Sequence, residues 1–459
     1  MMHKSKDADK EKQAYRCPIK LNNEQAKFLY AWTSSLRYLW NRSLALILRL
    51  RKSGIYMNYY GIRKKDKATG KYVDCSDNGT NKRLTKIRSR LNWQKDIPNC
   101  AQQEVLLRLD KAWKRFHSPY IQAIRQKKIA EAKTSKEKAI AIDYGKPKFK
   151  AKFHDQVSAS FTKERFSVAE ENGLYYLSLS KIPSKIRILS DDKMPPLERI
   201  KTVTVEYDAV KSMWFASFIY IVDFVKKDYP VKDVLGLDAG LRTSWYASDG
   251  STFKIDADQI KSLEDEKKRL QRFLDKKYKA SKANGNNNKA KKSSRYIKLS
   301  HKIRVIDRKM SDIRKNFQHQ MSKKITDTYP IIGVEDLSIQ KMMASAKGTV
   351  ENPGKNVKQK TALNKAIARQ GWYQARTLIA YKQKRNGGVF VLNDPAYSSV
   401  TCNNCGHISK NNRDGENFKC EKCGFEINAD HGASIEIRSR TIASLPVGTL
   451  EKYGIGNVL

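Results

Sequence analysis

Acidic residues are scarce in this chain. The 459 residues include 47 Asp and Glu against 91 Lys and Arg, a formal net charge of +44. Such an excess repels itself in a compact fold unless a polyanion neutralises it, which points to nucleic acid as the partner. Long apolar runs are also missing. The longest, Met213–Val222, is far shorter than the roughly 20 residues that cross a bilayer. The opening MMHKSKDADKEKQAY has no apolar core and does not read as a signal peptide. With no amphipathic basic helix and no lipidation motif, no membrane partner is expected. Cysteine is sparse, seven in all, and four of these sit in two close CxxC pairs. That excludes a disulfide framework and fits a metal site in a reducing cytosol. Cys17, Cys75 and Cys100 read as free thiols.

What is present suffices for a packed core. Apolar residues make up 40 % of the chain, and the length suits two or three domains. A basic ribosomal protein is the bland alternative, but it is usually shorter and has no reason to carry the acidic motifs described below.

The hydrophobic pattern changes twice along the chain. Residues 14–20 read as a strand, followed by a long helix from about Asn22. In it Phe28, Trp32, Leu36, Leu39, Trp40, Leu44 and Ile47 form one apolar stripe. A basic loop is expected over 52–82 and a second helical block over 98–133, striped by Leu106, Leu109, Trp113 and Phe116. From 141 to 222 the period becomes two. Lys148, Lys150 and Lys152 alternate with Phe149, Ala151 and Phe153, which predicts a strand with one cationic face. Thr202–Tyr207 and Met213–Val222 read as a hairpin. The strand at 14–20 is expected to complete a small β-barrel with this segment, the helical block lying between them in sequence.

Beyond residue 233 the order is three antiparallel strands, then helix, strand, helix, strand, helix. This is the order of a ribonuclease-H-like fold. The first strands span 234–241, 243–248 and 252–255, with an Asp249-Gly250 turn. Two long helices follow. One carries Ile260, Leu263, Leu270 and Phe273; the other carries Leu299, Ile303, Ile306, Met310, Ile313 and Phe317. A polar tip at 281–294 joins them. This tip and the Gly/Asn/Lys-rich segment at 346–360 are expected to order only with nucleic acid. Strand Ile331–Glu335, one helix over 361–385, strand Val389–Leu392 and a last helix from Asp430 complete the pattern.

Two sets of side chains carry chemistry. Cys402 and Cys405, then Cys420 and Cys423, have zinc-ribbon spacing, with Gly406 and Gly424 after each pair. Four thiolates close a tetrahedral site, so the expected Zn²⁺ is structural. The second set is Asp238, Glu335 and Asp430. Two end apolar strands and the third opens a helix. Carboxylates far apart in sequence but on one sheet can hold two Mg²⁺ ions, or Mn²⁺, for phosphodiester hydrolysis. Asp336 and Glu436 are the runners-up.

GLDAGLRTSWYASDG, VEDLSIQKM and AYSSVTCNNCGHISKNNR…FKCEKCGFEINADHGAS resemble the three RuvC motifs and inserted zinc ribbon of the TnpB family. These are transposon-associated RNA-guided nucleases, related to the miniature type V CRISPR effectors. RYLWNRSL at 37–44, LLRLDKAWKRF at 106–116, GKPKFKAKF at 145–153 and LQR at 270–272 extend the resemblance upstream. It implies a multidomain α+β and α/β protein, with a helical recognition domain (22–140) inserted in an oligonucleotide-binding-like wedge barrel (1–21 and 141–230). A RuvC domain (231–399), a zinc ribbon (400–427) and the end of RuvC with a tail (428–459) follow. It implies a guide RNA, a target DNA, a short target-adjacent motif read by the protein, and Asp238, Glu335 and Asp430 as both catalytic residues and metal ligands. A prokaryotic cytoplasm, at the nucleoid, is the implied location. Lys148, Lys150, Lys152, Arg376 and Arg413 are the candidate nucleic-acid contacts, the two arginines at the scissile phosphate. Gly432 stands where the family often has Asn, and Glu436 replaces a later Asn. Transposon and CRISPR settings, and a monomer or guide-bound homodimer, all fit the sequence. A nuclease-inactive guide-directed repressor and a transposase are the competing functions.

Overall fold

The structure is a computed structural model that describes residues 10–65, 72–76, 79–132, 134–151, 158–190, 194–223, 227–283, 293–348 and 352–456. It divides into two compact units, residues 10–222 and residues from 223 onward.

In the first unit, helix Asn23–Lys52 opens with a reciprocal cap. Asn22 Oδ1 accepts from the Gln25 amide at 2.8 Å, and Gln25 Oε1 accepts from the Asn22 amide at 3.0 Å. Its stripe of Leu29, Trp32, Leu36, Leu44 and Ile47 is buried against Phe161, Leu177, Ile186, Val203, Val205 and Phe218 of a seven-stranded sheet. Each such aliphatic side chain contributes roughly 1.5–3 kcal/mol. The sheet order is Ala159–Thr162, Ile200–Asp208, Met213–Asp223, Lys10–Lys20, Ile186–Ile188, Leu174–Leu179, Phe166–Glu171. The two outermost strands are consecutive in the chain, joined by the short turn Lys163–Arg165. The sheet must therefore curl until its ends approach, and strand Lys10–Lys20 lies in its middle.

Two expectations for this unit need correction. The segment 52–82 is not simply a loop, because Ile55–Met57, Ile62–Lys65 and Tyr72–Ser76 pair as a small antiparallel sheet. The predicted strand at 148–153 does not form over its described part, residues 148–151. The long helix supplies its backbone partners instead. Trp40 Nε1 donates to the Lys148 carbonyl at 3.0 Å, and Asn41 exchanges two bonds with Lys150, at 2.9 and 2.8 Å. With no sheet face to join, Phe149 stays 54 % exposed. Lys152 lies outside the described residues.

The second unit is built on a five-stranded sheet ordered Thr252–Phe253, Trp245–Ala247, Val234–Asp238, Ile331–Glu335, Val389–Asn393. The first two junctions are antiparallel and the last two parallel. Leu235, Leu237, Ile332 and Val334 pack against Met321, Ile325, Ile367, Trp372, Ala375 and Ile379 from the covering helices. The opposite face carries helix Ala429–Ser444, and glycine makes its approach possible. A Cβ on Gly236 would lie 2.1 Å from the Ser434 carbonyl oxygen, and one on Gly333 would lie 1.8 Å from Thr441 Oγ1. These two glycines are paired in the parallel register.

Here too the sequence misreads a helix. The expected single helix over 361–385 is two, Val357–Gln370 and Trp372–Arg385, broken at Gly371 with φ +65°. Gln318 fills the space beside that glycine and donates to the Gln370 and Gly371 carbonyls, at 2.9 and 3.0 Å. The paired helices Ala257–Ala283 and Ser294–Thr328 meet through Ile260, Leu263, Leu270, Ile306, Met310 and Ile313. Phe273, expected in that stripe, is 54 % exposed. Most of their connecting tip, 284–292, lies outside the described residues, as do 349–351. Among the described residues no helix is long and apolar enough to cross a membrane.

Candidate metal and nuclease centre

The four cysteines meet as two equivalent knuckles. The Cys402 and Cys420 carbonyls each accept from the amide of the glycine four residues on, Gly406 and Gly424, at 2.9 Å. Both glycines lie in the left-handed region, with φ +70° and +71°. All four Sγ atoms lie within 4.8 Å of one another, with Cys402–Cys423 and Cys405–Cys420 each at 3.6 Å. For Zn–S bonds of about 2.3 Å a tetrahedron has edges of roughly 3.8 Å, so the spacing fits zinc. The crowded thiols split: Cys423 is brought down to about 6, chiefly by the Phe425 amide, while Cys405, despite the His407 amide, is pushed up to about 12 by burial and the neighbouring sulfurs.

The carboxylates are arranged differently. Asp238 and Glu335 end adjacent parallel strands, at the same end of the sheet. Asp430 occupies the first turn of helix Ala429–Ser444, whose Asn428 cap accepts from the amides of Asp430 and His431 at 3.1 Å. The glycine-lined approach of that helix to the sheet brings the third carboxylate to the other two. Asp430 Oδ2 lies 3.8 Å from where a Cβ on Gly240 would stand.

Electrostatics records the convergence. Asp238 is pushed up to about 7, first by burial, then by the charges of Glu335 and Asp430. Glu335 is also raised by burial, against the opposing pull of the Ser398 hydroxyl, Arg440 and Arg413. Among the described residues only the cysteines bring three or more ligand atoms within 4.8 Å of one another. The three carboxylates are more widely spaced than the four thiols.

Several partners of these acids left little trace in the sequence. Ser398 donates to Glu335, and Arg440 donates to the Asp394 and Ala396 carbonyls at 2.9 and 2.7 Å. Arg413, expected at a phosphate, donates to Asp430 at 2.8 Å, and Arg376 donates to Asp336 at 2.6 Å. Glu436 pairs with Arg440 at 2.9 Å. In the other unit, the Lys150 ammonium lies 4.6 Å over the Trp40 ring, while Lys148 is exposed. One signal was available. Glycine stands two residues before the acid in both LGLD and IIGVE.

The cysteine knuckles are fastened to the carboxylate site. Asn403 donates to the Gly432 carbonyl at 3.2 Å, and a Cβ at Gly432 would press on Asn403 Oδ1 at 3.1 Å. A side chain there would require Asn403 and Ile427 to give by a few tenths of an ångström. The Ala429 amide donates to the Glu416 carbonyl at 2.8 Å, and the Glu416 carboxylate pairs with Arg242.

The fold and site define a mixed α/β protein with a zinc-ribbon-like cysteine cluster set against a carboxylate-bearing sheet. Its relationship to TnpB proteins and miniature type V effectors is borne out by comparison. Residues 217–346 match the OrfB_IS605 family model, described as "Probable transposase", and residues 372–437 match the "Cas12f1-like, TNB domain". Residues 11–55 match a model described as a helix-turn-helix domain, although here they form a strand, one long helix and the start of another strand. InsQ of Escherichia coli K12, named as a candidate RNA-guided DNA endonuclease, is 32 % identical over 259 residues, 56 % of this chain and 60 % of InsQ. The CRISPR-associated endodeoxyribonuclease Cas12f1 of Sulfoacidibacillus thermotolerans is 24 % identical over 245 residues, 52 % of this chain and 53 % of the relative. The chain thus spans between half and two thirds of the length of these curated relatives. A Cas12f1–sgRNA–target DNA complex aligns over 94 % of this chain and 99 % of that one, at 13 % identity and a TM-score of 0.44.

Proposed function

We propose that this chain is an RNA-guided DNA endonuclease that hydrolyses target DNA in a metal-dependent reaction. In this reading guide pairing supplies sequence specificity and the basic unit holds backbones. The names of the relatives, InsQ and Cas12f1, support the substrate class. Residues 1–21 and 141–230 read as the wedge barrel, 22–140 as the recognition domain, 231–399 as RuvC, 400–427 as the ribbon and 428–459 as the end of RuvC with its tail. The strand order of the second unit supports the ribonuclease-H-like assignment. Guide RNA and target DNA are the proposed partners.

The observation that carries the proposal is the convergence of Asp238 and Glu335, at the same ends of adjacent parallel strands, with Asp430 in the first turn of the helix seated on Gly236 and Gly333. Crowded hard-oxygen donors without enough compensating charge are what a divalent cation relieves, and their spread suits a pair of ions. Asp238, Glu335 and Asp430 would hold Mg²⁺, or Mn²⁺, which would supply water activation and charge stabilisation at the leaving 3′ oxygen. The chain's own residues set the geometry. Ser398 orients Glu335, and the Asn428 cap and Arg413 fix Asp430. All three acids are present, and nothing in the site favours the repressor. Incubation with co-purified RNA, Mg²⁺ and matched duplex is expected to give cuts, and Asp238→Ala to abolish them with guided binding intact. Undiminished cleavage in that variant overturns the proposal. Sequencing the co-purified RNA separates a transposon-end guide from an array-derived one.

A further inference from the structure

Among the described non-glycine residues of the carboxylate-bearing unit, only Asn356 and Tyr397 have positive φ, +54° and +62°. Asparagine tolerates that region; a tyrosine there is strained. The strain is held in place by its surroundings. The Tyr397 carbonyl accepts from the amides of Val400 and Thr401, both at 3.1 Å, and from the Thr401 hydroxyl at 2.8 Å. Arg440 clamps the carbonyls of Asp394 and Ala396 on the preceding side. The next residue, Ser398, is the one that donates to Glu335.

This loop leaves the end of strand Val389–Asn393, beside Glu335 and on the side away from Asp238. Its tyrosine is 61 % exposed and the side chain has no polar partner among the described residues. A turn that served only to aim Ser398 would be held with less strain by glycine. Instead the strain presents a large aromatic face to solvent at the edge of the acidic site. Such a face does not attract phosphate. It suits the π-face of a nucleobase and accepts any sequence.

We infer that Tyr397 is a stacking platform for a nucleobase of the strand being cut, seating that strand over Glu335. The inference rests on the nuclease reading, and its test separates the two. Guide-loaded protein is assayed on a labelled single-stranded oligodeoxynucleotide complementary to the guide. A parallel series places an abasic residue at each position around the cut. Tyr397→Phe is expected to match the parent. Tyr397→Ala is expected to raise KM about 10-fold on intact DNA, with little change in kcat, and to lose that effect when the abasic residue lies at the stacked position. In the Asp238→Ala background, a fluorescent adenine analogue at that position is expected to be quenched on binding. Adding Tyr397→Ala to that background is expected to abolish the quenching. Equal KM for the alanine variant, or a penalty that no abasic position removes, overturns the inference. Tyr397→Gly keeps the turn without the ring, so a glycine variant with parental KM also overturns it. If the parent protein cuts nothing but the ring-dependent quenching persists, the nuclease reading fails and the stacking site stands.

Discussion

The two clusters in the second unit handle like charge in opposite ways. The four thiols lie close, in one ion's reach, on knuckles that each repeat the same glycine turn. The three carboxylates are spread across two strand ends and a helix, and burial first, then the charges of Glu335 and Asp430, raise the pKa of Asp238. The first arrangement gains by being complete, since four ligands leave zinc no open position. The second gains by being incomplete. On the proposed reading, carboxylates held too tightly to one another would leave no room for ions with substrate and water. The two are also joined, because Asn403 of the first knuckle and Arg413 of the ribbon reach the helix that carries Asp430.

The sharpest way to break this comparison is to remove one acid. Asp238→Ala is expected to lower cleavage by on the order of 10³-fold or more, measured as single-turnover rate, with guided binding unchanged. A loss of guide or target binding of the same size would make Asp238 a structural residue like the cysteines. Cys420→Ser, or prolonged chelation, tests the other side. Loss of zinc is expected to free the ribbon from the helix start and cost about 100-fold in rate. Excess Mg²⁺ is expected not to restore it, and zinc readdition after chelation is expected to do so. Full activity without zinc would mean that the ribbon does not position Asp430.

A third substitution probes how the sheet brings the acids together. Gly333→Ala would place a Cβ 1.8 Å from Thr441 Oγ1 and 3.0 Å from Asn393 Nδ2. Overpacking of this kind costs roughly 1–3 kcal/mol, read as a lowered denaturant midpoint at unchanged m. Adding Thr441→Ala is expected to recover part of it. Independent, additive effects in the double variant would show that the helix does not rest on this glycine.

Much of the second unit is legible in its sequence because its signals are local. Apolar runs ending in an acid, a CxxC repeat and an Asp-Gly turn each announce themselves within a few residues. What escapes is set by distant partners. The break at Gly371 depends on Gln318, and a lone glycine in a helical pattern does not announce a break. The alternation of lysine and phenylalanine around residue 149 reads as a strand, which the described residues 148–151 do not form. It cannot reveal that Trp40 and Asn41, on a helix, provide the hydrogen bonds a neighbouring strand would normally supply. The acidic residues could be chosen from their positions after apolar strands. Ser398, Arg413 and Arg440 could not be assigned as their partners, because only the folded chain brings them there.

The last expected effect, similar in size to that of Gly333→Ala, is the most direct reading of the contrast. Asp238 has a folded pKa of about 7, above the ordinary carboxylate range. Between the two values the folded protein binds more protons than the unfolded one, so stability without metal falls as pH rises through that window. Asp238→Asn has no such charge to lose. In EDTA it is expected to unfold as the parent does near pH 4 and to exceed it in stability above pH 7. The difference should be on the order of 2 kcal/mol once screening at a half-buried site is allowed for. Saturating Mg²⁺ stabilises the parent by mass action, so it is expected to narrow or reverse the gap. Urea midpoints at both pH values, with and without the ion, measure this. Parallel pH profiles for the two proteins would mean that neither burial nor the neighbouring carboxylates raise Asp238, and the contrast with the thiols would vanish.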